Sequence, residues 1–304
     1  MLVQHSANAP GAIPDATIHR AITAVLPSVL RDTVETLAIP RHFETEPDNN
    51  RLTAHWIARQ LCSYGYETNL QGEYANIVAR PRHHSDAPHI LISAHYDSAP
   101  GCPGADDNAS AVAALLACAR ALAEHAPETP VCFVCFNREE DGLLGSTDFV
   151  NAIANGTQPT IREAHILEMI GYCDHRPGTQ SLPPGLPVHV PDCGDFLGVI
   201  ANKDSTAMAD SILQAARAYR PDFPAVSLKL FVGIEKLLPV LLRSDHTPFW
   251  KAGIPAVMWT DTSEFRNPHY HQATDTFDTL DYEFLCAVTQ ILVATILRSA
   301  KGKR

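Results

Sequence analysis

One imidazole and three carboxylates lie within a single short stretch of the chain, S-A-H-Y-D-S-A-P-G-C-P-G-A-D-D-N-A-S, which covers residues 93–110. The side chains concerned are those of His95, Asp97, Asp106 and Asp107. Imidazole and carboxylate ligands together suit a hard or borderline cation such as Zn²⁺. The stretch therefore predicts one half of a metal site, and the other half must come from elsewhere in the chain.

Three later stretches carry further candidate ligands. They are Glu139 and Glu140 in F-N-R-E-E-D-G-L-L-G-S, Glu168 in L-E-M-I-G-Y, and Tyr270 and His271 in N-P-H-Y-H-Q-A-T-D-T. Because the backbone is irregular where a strand ends, Glu139 and Glu140 can direct one carboxylate at a metal and the other at a nearby water. Metal-assisted hydrolysis requires this division of roles.

Each of these residues also has a simpler explanation when it is taken alone. Asp106-Asp107-Asn108 before a helix is a good N-cap, and Glu139-Glu140 on its own is typical of a solvated surface. Glu168 is harder to explain in this way, because it stands among apolar residues and an unpaired buried carboxylate is costly. The occurrence of all these groups at one predicted sheet edge favours a shared metal site.

The elements that must position these residues alternate between strand and helix. Apolar runs predict strands at residues 90–94, 131–137, 164–170 and 256–259, and helical patterns cover residues 108–124, 146–153, 206–219 and 282–299. This alternation predicts an α/β fold with three layers, α/β/α, around a mixed and mainly parallel sheet. In such folds the ligand site lies beyond the carboxyl ends of the strands.

We expect residues 1–304 to form a single domain. Its first part, residues 1–45, is predicted to be a helical segment that Pro27 kinks or splits. A second helix is predicted at residues 50–64, and two strands at residues 66–70 and 75–80. A region rich in proline and glycine, residues 173–204, is interpreted as a long excursion over the sheet edge, and residues 173–243 as an insertion or lid over the site.

Composition excludes several classes of function. The net charge of −11 disfavours a nucleic-acid binder and weakens the case for an anionic membrane surface. We find neither a signal segment nor an apolar run of about 18 residues, so we expect a cytoplasmic protein without a membrane partner. The eight cysteines are then expected to be reduced thiols. Two of them, Cys132 and Cys135, have redox-motif spacing but lie inside an apolar strand, which favours burial.

The motifs resemble those of the M28 family of zinc-dependent peptidases, the aminopeptidases with two co-catalytic zinc ions. Five motifs match in order and spacing over roughly residues 90–279: H-Y-D-S, G-A-D-D-N-A-S, E-E-D-G-L-L-G-S, R-S-D-H-T-P-F and Y-H-Q-A-T-D-T. The resemblance implies a hydrolase that attacks a peptide bond with a zinc-activated water, most often to remove N-terminal residues. It implies two zinc ions in each chain and a peptide or small amide as substrate.

The resemblance also assigns roles to individual residues. It makes His95, Asp107, Glu140, Glu168 and His271 metal ligands, with Asp107 as the bridging carboxylate. Glu168 stands where many members of the family have aspartate. Glu139 falls at the general base and Tyr270 at a tyrosine that helps to polarise the scissile carbonyl.

Four more residues are candidates for supporting roles. Asp97 and Asp275 are placed to hold the imidazoles of His95 and His271. For Asp245 and His246, a substrate-binding role and a loop-stabilising role are both open. The residue that binds the α-amine and the oligomeric state are not predicted.

Two alternatives remain at this point. Glutaminyl cyclases resemble these peptidases, share the D-H-x-P-F element and use one zinc for an intramolecular transfer. A binding domain of the M28 type without catalysis is the other alternative, although every catalytic position that we can place is filled.

Overall fold

A computed structural model describes residues 1–83 and 87–301 of the chain, and its described strands form one nine-stranded sheet. The strands are β1 Leu2–His5, β2 Tyr66–Gln71, β3 Asn76–Pro81, β4 His89–His95, β5 Val131–Phe136, β6 Ile161–Glu168, β7 Leu197–Ala201, β8 Ala225–Lys229 and β9 Ala256–Thr260. Their order across the sheet is β1-β8-β7-β9-β6-β4-β5-β3-β2. The α-helices are α1 Ala16–Thr23, α2 Pro27–Leu37, α3 Pro47–Ser63, α4 Ala111–His125, α5 Leu144–Ala154, α6 Thr206–Tyr219, α7 His246–Lys251 and α8 Tyr282–Lys301.

The four central strands β9, β6, β4 and β5 are parallel neighbours, which places their carboxyl ends at one edge. Antiparallel pairs flank this centre, since β7 pairs with β9 and β3 pairs with β5. The sheet is mixed, as predicted, with parallel pairs at its centre and one further parallel pair, β7 with β8, beyond it. Every residue of β4 and β5 is buried, as expected for strands that are covered on both faces. Cys132 and Cys135 are core residues of β5, which confirms the expectation of burial.

Helices cover both faces of the sheet and complete the three predicted layers. The larger apolar cluster joins one face to α1, α2, α3, α4, α6 and α8. The smaller cluster joins the other face to α5 and α7, where Phe149 and Phe249 pack against Phe136 of β5. Burying one such aromatic side chain stabilises the fold by about 1.5–3 kcal/mol, so the packing of the helices on the sheet contributes to the stability of the central strands.

Two sequence-based boundaries need correction. The N-terminal segment is not only helical, because β1 adds an edge strand that pairs with β8. The region 173–243 is not a continuous insertion, because β7, α6 and β8 belong to the sheet and its helical layer. Residues 173–196 and 230–243 are the two long stretches outside these elements, and residues 202–205 and 220–224 are short connections between them. Strands this short are specified by distant pairing partners, which a local pattern does not show. Pro27 does split the first helix, as the first residue of α2.

The terminal helix α8 is long and apolar enough to cross a membrane by length and composition, with a mean hydropathy of 1.4 over its most apolar window. However, 72% of that window is buried inside the fold. It packs against α1, α2, α4 and α6, so its apolar character is explained by core packing.

Candidate metal centre

The carboxyl ends of three neighbouring parallel strands supply most of the predicted site. His95 is the last residue of β4, Glu168 is the last residue of β6, and Glu139 and Glu140 are the third and fourth residues after the end of β5. Parallel pairing of β4 with both β5 and β6 brings these strand ends side by side. The sheet therefore positions four of the predicted residues without any help from long loops.

Asp107 comes from the irregular turn of residues 105–110 that precedes α4. Its neighbour Asn108 fixes this turn against the end of β6. The Asn108 amide donates to the carbonyl oxygen of Leu167 at 3.0 Å and accepts from the Met169 N–H at 3.0 Å. Asp107 is consequently held beside Glu168.

His271 comes from the loop after β9, and its backbone has a φ of 55°, in the left-handed region. Such a conformation costs a residue other than glycine about 1–3 kcal/mol and is typical of functional sites. It turns the imidazole towards Asp107 and Glu140, with distances of 3.2 Å from Nε2 to Asp107 Oδ2 and 3.1 Å to Glu140 Oε2.

A second imidazole faces the other oxygen of the same aspartate. His95 Nε2 lies 3.1 Å from Asp107 Oδ1 and 3.4 Å from Glu168 Oε1. The structure thus contains two triads, His95–Asp107–Glu168 and His271–Asp107–Glu140, and in each the ligand atoms lie within 4.8 Å of one another. Asp107 is common to both and gives one oxygen to each.

The donor set fits zinc. Zinc bonds of about 2.0–2.1 Å place tetrahedral ligand atoms roughly 3.3 Å apart, close to the distances from imidazole to carboxylate in both triads. Three protein ligands leave one position open, as in catalytic zinc sites. Glu140 Oε1 is buried and has no hydrogen-bond partner among the described residues, so its second oxygen is also available.

The cluster of buried carboxylates makes the site favourable for positive charge. Burial lowers the pKa of His95 by itself, but Glu168, Glu139 and Asp107 raise it well above the usual range. The pKa of His271 is likewise raised to about 10, since Asp107 and Glu140 outweigh burial. Burial and Asp107 together raise the pKa of Glu140 to about 7. In the described part of the chain no lysine or arginine pairs with these carboxylates, so cations would relieve their repulsion.

Asp97 and Asp275 both lie directly behind the ligands. Asp97 Oδ1 is 3.4 Å from His95 Nδ1, and its two oxygens also accept from the N–H groups of Glu139 and Glu140 at 3.3 and 3.2 Å. The sequence predicts that Asp275 holds His271, but its oxygens accept from the N–H groups of Asp106 and Asp107 at 2.9 and 3.1 Å. It therefore supports the shared aspartate through the backbone.

Glu139 and Tyr270 line a cavity that opens beside the triads. Burial raises the pKa of the Glu139 carboxyl well above its usual range, His95 opposes the shift, and the carboxylates of Glu168 and Asp245 add to it. The Tyr270 ring stacks on His271 with 3.8 Å between ring centroids. Its hydroxyl accepts a hydrogen bond from Arg243 Nη2 at 2.8 Å, which leaves the hydroxyl proton free to donate.

Asp245 and His246 do not line this cavity. His246 is fully buried, contacts the Leu241 carbonyl oxygen through Nε2 at 2.9 Å, and packs edge-on against Trp250. These contacts are those of a loop-stabilising residue, and the substrate-binding role stays a prediction. Asp245 is also buried, and burial raises its pKa to about 7 while the neighbouring charge of His95 opposes the rise.

Two supporting residues escaped the sequence analysis. Arg41, which falls within the predicted helical segment 1–45, is 1% exposed and donates to the carbonyl oxygens of Tyr96 at 2.7 Å and Gly104 at 2.9 Å. It thereby fixes the loop between His95 and Asp107. Ser244 donates to Glu168 Oε2 at 2.6 Å. Nothing local marks Arg41, whereas Ser244 adjoins the noted Asp245.

The cavity has a volume of about 170 Å³ and a mainly apolar wall. Its apolar lining includes Leu182, Leu186, Val188, Val240, Leu241 and Met258. Most of these residues belong to the segments 173–196 and 230–243, which lie outside the sheet. The site therefore combines a polar floor of imidazoles and carboxylates with an apolar pocket beside it.

The sequence profile described as Peptidase family M28 matches residues 76–296. The protein YfbL of Escherichia coli (strain K12) is 34% identical over 307 residues, which cover 95% of this chain and 91% of YfbL.

Solved structures show the same fold. The LapA aminopeptidase of Legionella pneumophila superposes with a TM-score of 0.74 at 19% identity over 96% of this chain and 76% of LapA. BSAP, a zinc aminopeptidase from Bacillus subtilis, gives 0.57 at 26% identity, with 75% of this chain and 51% of BSAP covered. The glutaminyl cyclase of Porphyromonas gingivalis gives 0.67 at 19% identity over 90% of this chain and 99% of the cyclase.

Proposed function

This chain belongs to peptidase family M28, and from that premise we propose that it is a zinc-dependent aminopeptidase with two zinc ions. One observation carries the proposal: the two oxygens of Asp107 face two separate imidazole–carboxylate pairs beside Glu139. A relative of known structure, BSAP, is described as a zinc aminopeptidase, which supports both the metal and the reaction.

In this proposal His95, Asp107 and Glu168 hold one zinc ion, and His271, Asp107 and Glu140 hold the other. Zinc in such a site lowers the pKa of a bound water and polarises the carbonyl group under attack. The residues behind the ligands keep this arrangement in place, since Asp97 orients His95 and Asp275 holds the backbone of Asp107.

Glu139 is the proposed general base. Its carboxylate accepts a proton from the attacking water and then gives that proton to the leaving amine. Burial raises the pKa of Glu139, and a higher pKa favours the uptake of a proton by its carboxylate. Tyr270 donates its hydroxyl proton in a hydrogen bond to the carbonyl oxygen as negative charge develops there, and one such donor is typically worth about 3 kcal/mol.

The apolar wall of the cavity favours substrates with an apolar first side chain. The pocket is bounded by aliphatic residues of the segments 173–196 and 230–243, while the ligands form its polar end. Burial of each methylene group of a substrate contributes about 0.8 kcal/mol. Leucyl substrates should therefore exceed alanyl substrates in kcat/KM by roughly 10-fold or more.

The exchange Glu139→Gln tests the proposed reaction. The variant should retain its zinc and lose about 10²–10⁴-fold in kcat on leucyl-p-nitroanilide, since glutamine cannot accept the proton. Glu124→Gln is the matched control, because Glu124 is an exposed residue of α4 whose carboxylate pairs with Arg120. Wild-type kcat in a zinc-loaded Glu139→Gln protein would refute the role of Glu139. N-acetylated leucyl substrate should not be cleaved if the enzyme needs a free α-amine.

Glutaminyl cyclisation is the second candidate, because the cyclase of Porphyromonas gingivalis shares the fold over 90% of this chain. The two complete triads favour the peptidase, since a reaction with a single zinc needs only one of them. An assay with an N-terminal glutamine peptide separates the two. Release of free glutamine supports the aminopeptidase, and formation of a pyroglutamyl peptide supports the cyclase.

A further inference from the structure

A separate group of ligand-type side chains lies where the chain leaves β6 and where α8 begins. Cys173, His175 and Asp281 each offer one ligand atom, and these three atoms lie within 4.8 Å of one another. None of the three belongs to the triads around Asp107. We propose that they bind a divalent transition metal, of which zinc is the best match to a thiolate, an imidazole and a carboxylate.

Local backbone pairing brings Cys173 and His175 together. The Asp174 N–H donates to the Gly194 carbonyl oxygen at 2.8 Å, which forms a short antiparallel bridge. In extended chain, residues two apart point to the same side. Accordingly, Cys173 Sγ lies 3.5 Å from His175 Nε2.

The other nitrogen of the His175 ring already contacts a carboxylate, as the second nitrogen of a metal-bound histidine usually does. His175 Nδ1 lies 3.2 Å from Asp195 Oδ2, across the same bridge. A carboxylate behind a histidine fixes the tautomer and directs the free nitrogen at the metal. This contact leaves Nε2, on the side of Cys173, as the coordinating atom.

Asp281 is rigidly held and still has a free oxygen. Its Oδ1 caps α8 by accepting from the N–H groups of Glu283 and Phe284, both at 2.9 Å, and its own N–H donates to Gly171 at 3.0 Å. Within residues 1–83 and 87–301, no hydrogen bond is made to Oδ2. The carboxylate is therefore positioned before any metal binds.

The charges around the thiol favour a cation over a nucleophilic role. Cys173, His175 and Asp195 follow the order of a nucleophile, a base and an orienting acid. However, burial raises the pKa of Cys173 to about 12, and Asp281 and Asp195 contribute to that rise although Arg266 opposes it. A reactive cysteine needs an electropositive setting. A bound metal would displace the thiol proton and balance these carboxylates.

The metal would join two parts of the fold. Cys173 and His175 begin the segment 173–196 that walls the apolar cavity, and Asp281 caps the long core helix α8. The side chain of His175 is 74% exposed, so the fourth position is open to water and the site lies at the surface. The proposed role is a structural brace that holds the cavity wall to the core.

Cobalt titration of the metal-free protein tests the proposal, because the triads around Asp107 contain no cysteine. Bound Co²⁺ with a thiolate ligand gives a sulfur-to-cobalt charge-transfer band in the near ultraviolet. The wild-type chain should show this band, and Cys173→Ser should lose it. Cys62→Ser, at an exposed cysteine, should retain it.

Two further variants keep the result independent of folding and of the proposed reaction. Asp281→Asn preserves a helix cap while it removes the charged ligand, so it should shift the titration to at least about tenfold higher cobalt. Asp107→Ala disables the proposed active site and should leave the band unchanged. The proposal is overturned if the wild type shows no band or if the band survives in Cys173→Ser.

Discussion

Replacing Asp275 by asparagine should weaken zinc binding while the chain stays folded. Asp275 does not touch the proposed zinc ions. It accepts two backbone hydrogen bonds, from Asp106 at 2.9 Å and from Asp107 at 3.1 Å, and so sets the position of the shared ligand. Asparagine is nearly the same size but has only one acceptor oxygen. Its NH₂ group would face a backbone N–H, and two donors repel each other.

The size of the effect follows from these two contacts. A hydrogen bond to a charged group contributes about 1.5–3 kcal/mol. The exchange removes one of the two hydrogen bonds, and the acceptor of the remaining one is no longer charged. Since about 1.4 kcal/mol is a factor of ten in an equilibrium constant, the affinity for zinc should fall roughly 10–100-fold. The same range is typical when a residue behind a metal ligand is changed.

Competition with a chromophoric chelator measures this affinity directly. Asp278→Asn is the control, because Asp278 is an exposed aspartate three positions away whose side chain contacts Thr276. The control should bind zinc as the wild type does, and circular dichroism should show both variants folded. A zinc affinity within twofold of the wild type in folded Asp275→Asn would refute the reasoning.

Three other exchanges test separate parts of the structure. Glu168→Asp shortens a side chain that accepts a hydrogen bond from Ser244 at 2.6 Å and also contacts His95 in its triad. One of the two zinc ions should therefore bind about tenfold more weakly in the chelator competition, and unchanged affinity for both ions would contradict this. Arg243→Met removes the donor to the tyrosine hydroxyl and should lower kcat several-fold with little change in KM, and an unchanged kcat would count against it. His165→Asn tests a buried neutral histidine, since burial lowers the pKa of His165 to about 4 from an unfolded value near 6.5. The stability that the neutral imidazole contributes is complete above about pH 6.5 and is lost as the pH falls towards 4. Between pH 7 and 5 the free energy of unfolding should therefore fall by about 2 kcal/mol more in the wild type than in the variant, as measured by chemical denaturation. The control His19→Asn, at an exposed position, should behave as the wild type.

The sequence predicted the central architecture because the relevant signals are local. The apolar runs of β4 and β5 lead directly into His95 and Glu139, and parallel strands bring such ends together. The triads follow from this placement together with the loop after β9. In contrast, the partner of Asp275 was assigned wrongly, because spacing in the sequence suggested His271 and only the fold shows the backbone of Asp107.

The parts that escaped prediction depend on distant contacts. The strand β1 is recognisable only through its pairing with β8, more than two hundred residues later. Arg41 binds carbonyl oxygens of a loop beyond β4, and a backbone acceptor leaves no mark in the sequence. The apolar segment 230–243 folds into two short 3₁₀ turns, and Val240 and Leu241 of the second turn line the cavity.

The most direct test of the account is to locate the metal ions at the shared aspartate. Crystals of the zinc-loaded protein should give two anomalous peaks at the zinc edge, about 3.5–4 Å apart, one in each triad with Asp107 between them. A peak at Cys173 would bear only on the separate surface site. Absence of zinc from the triads, or zinc ions that do not contact Asp107, would contradict the account.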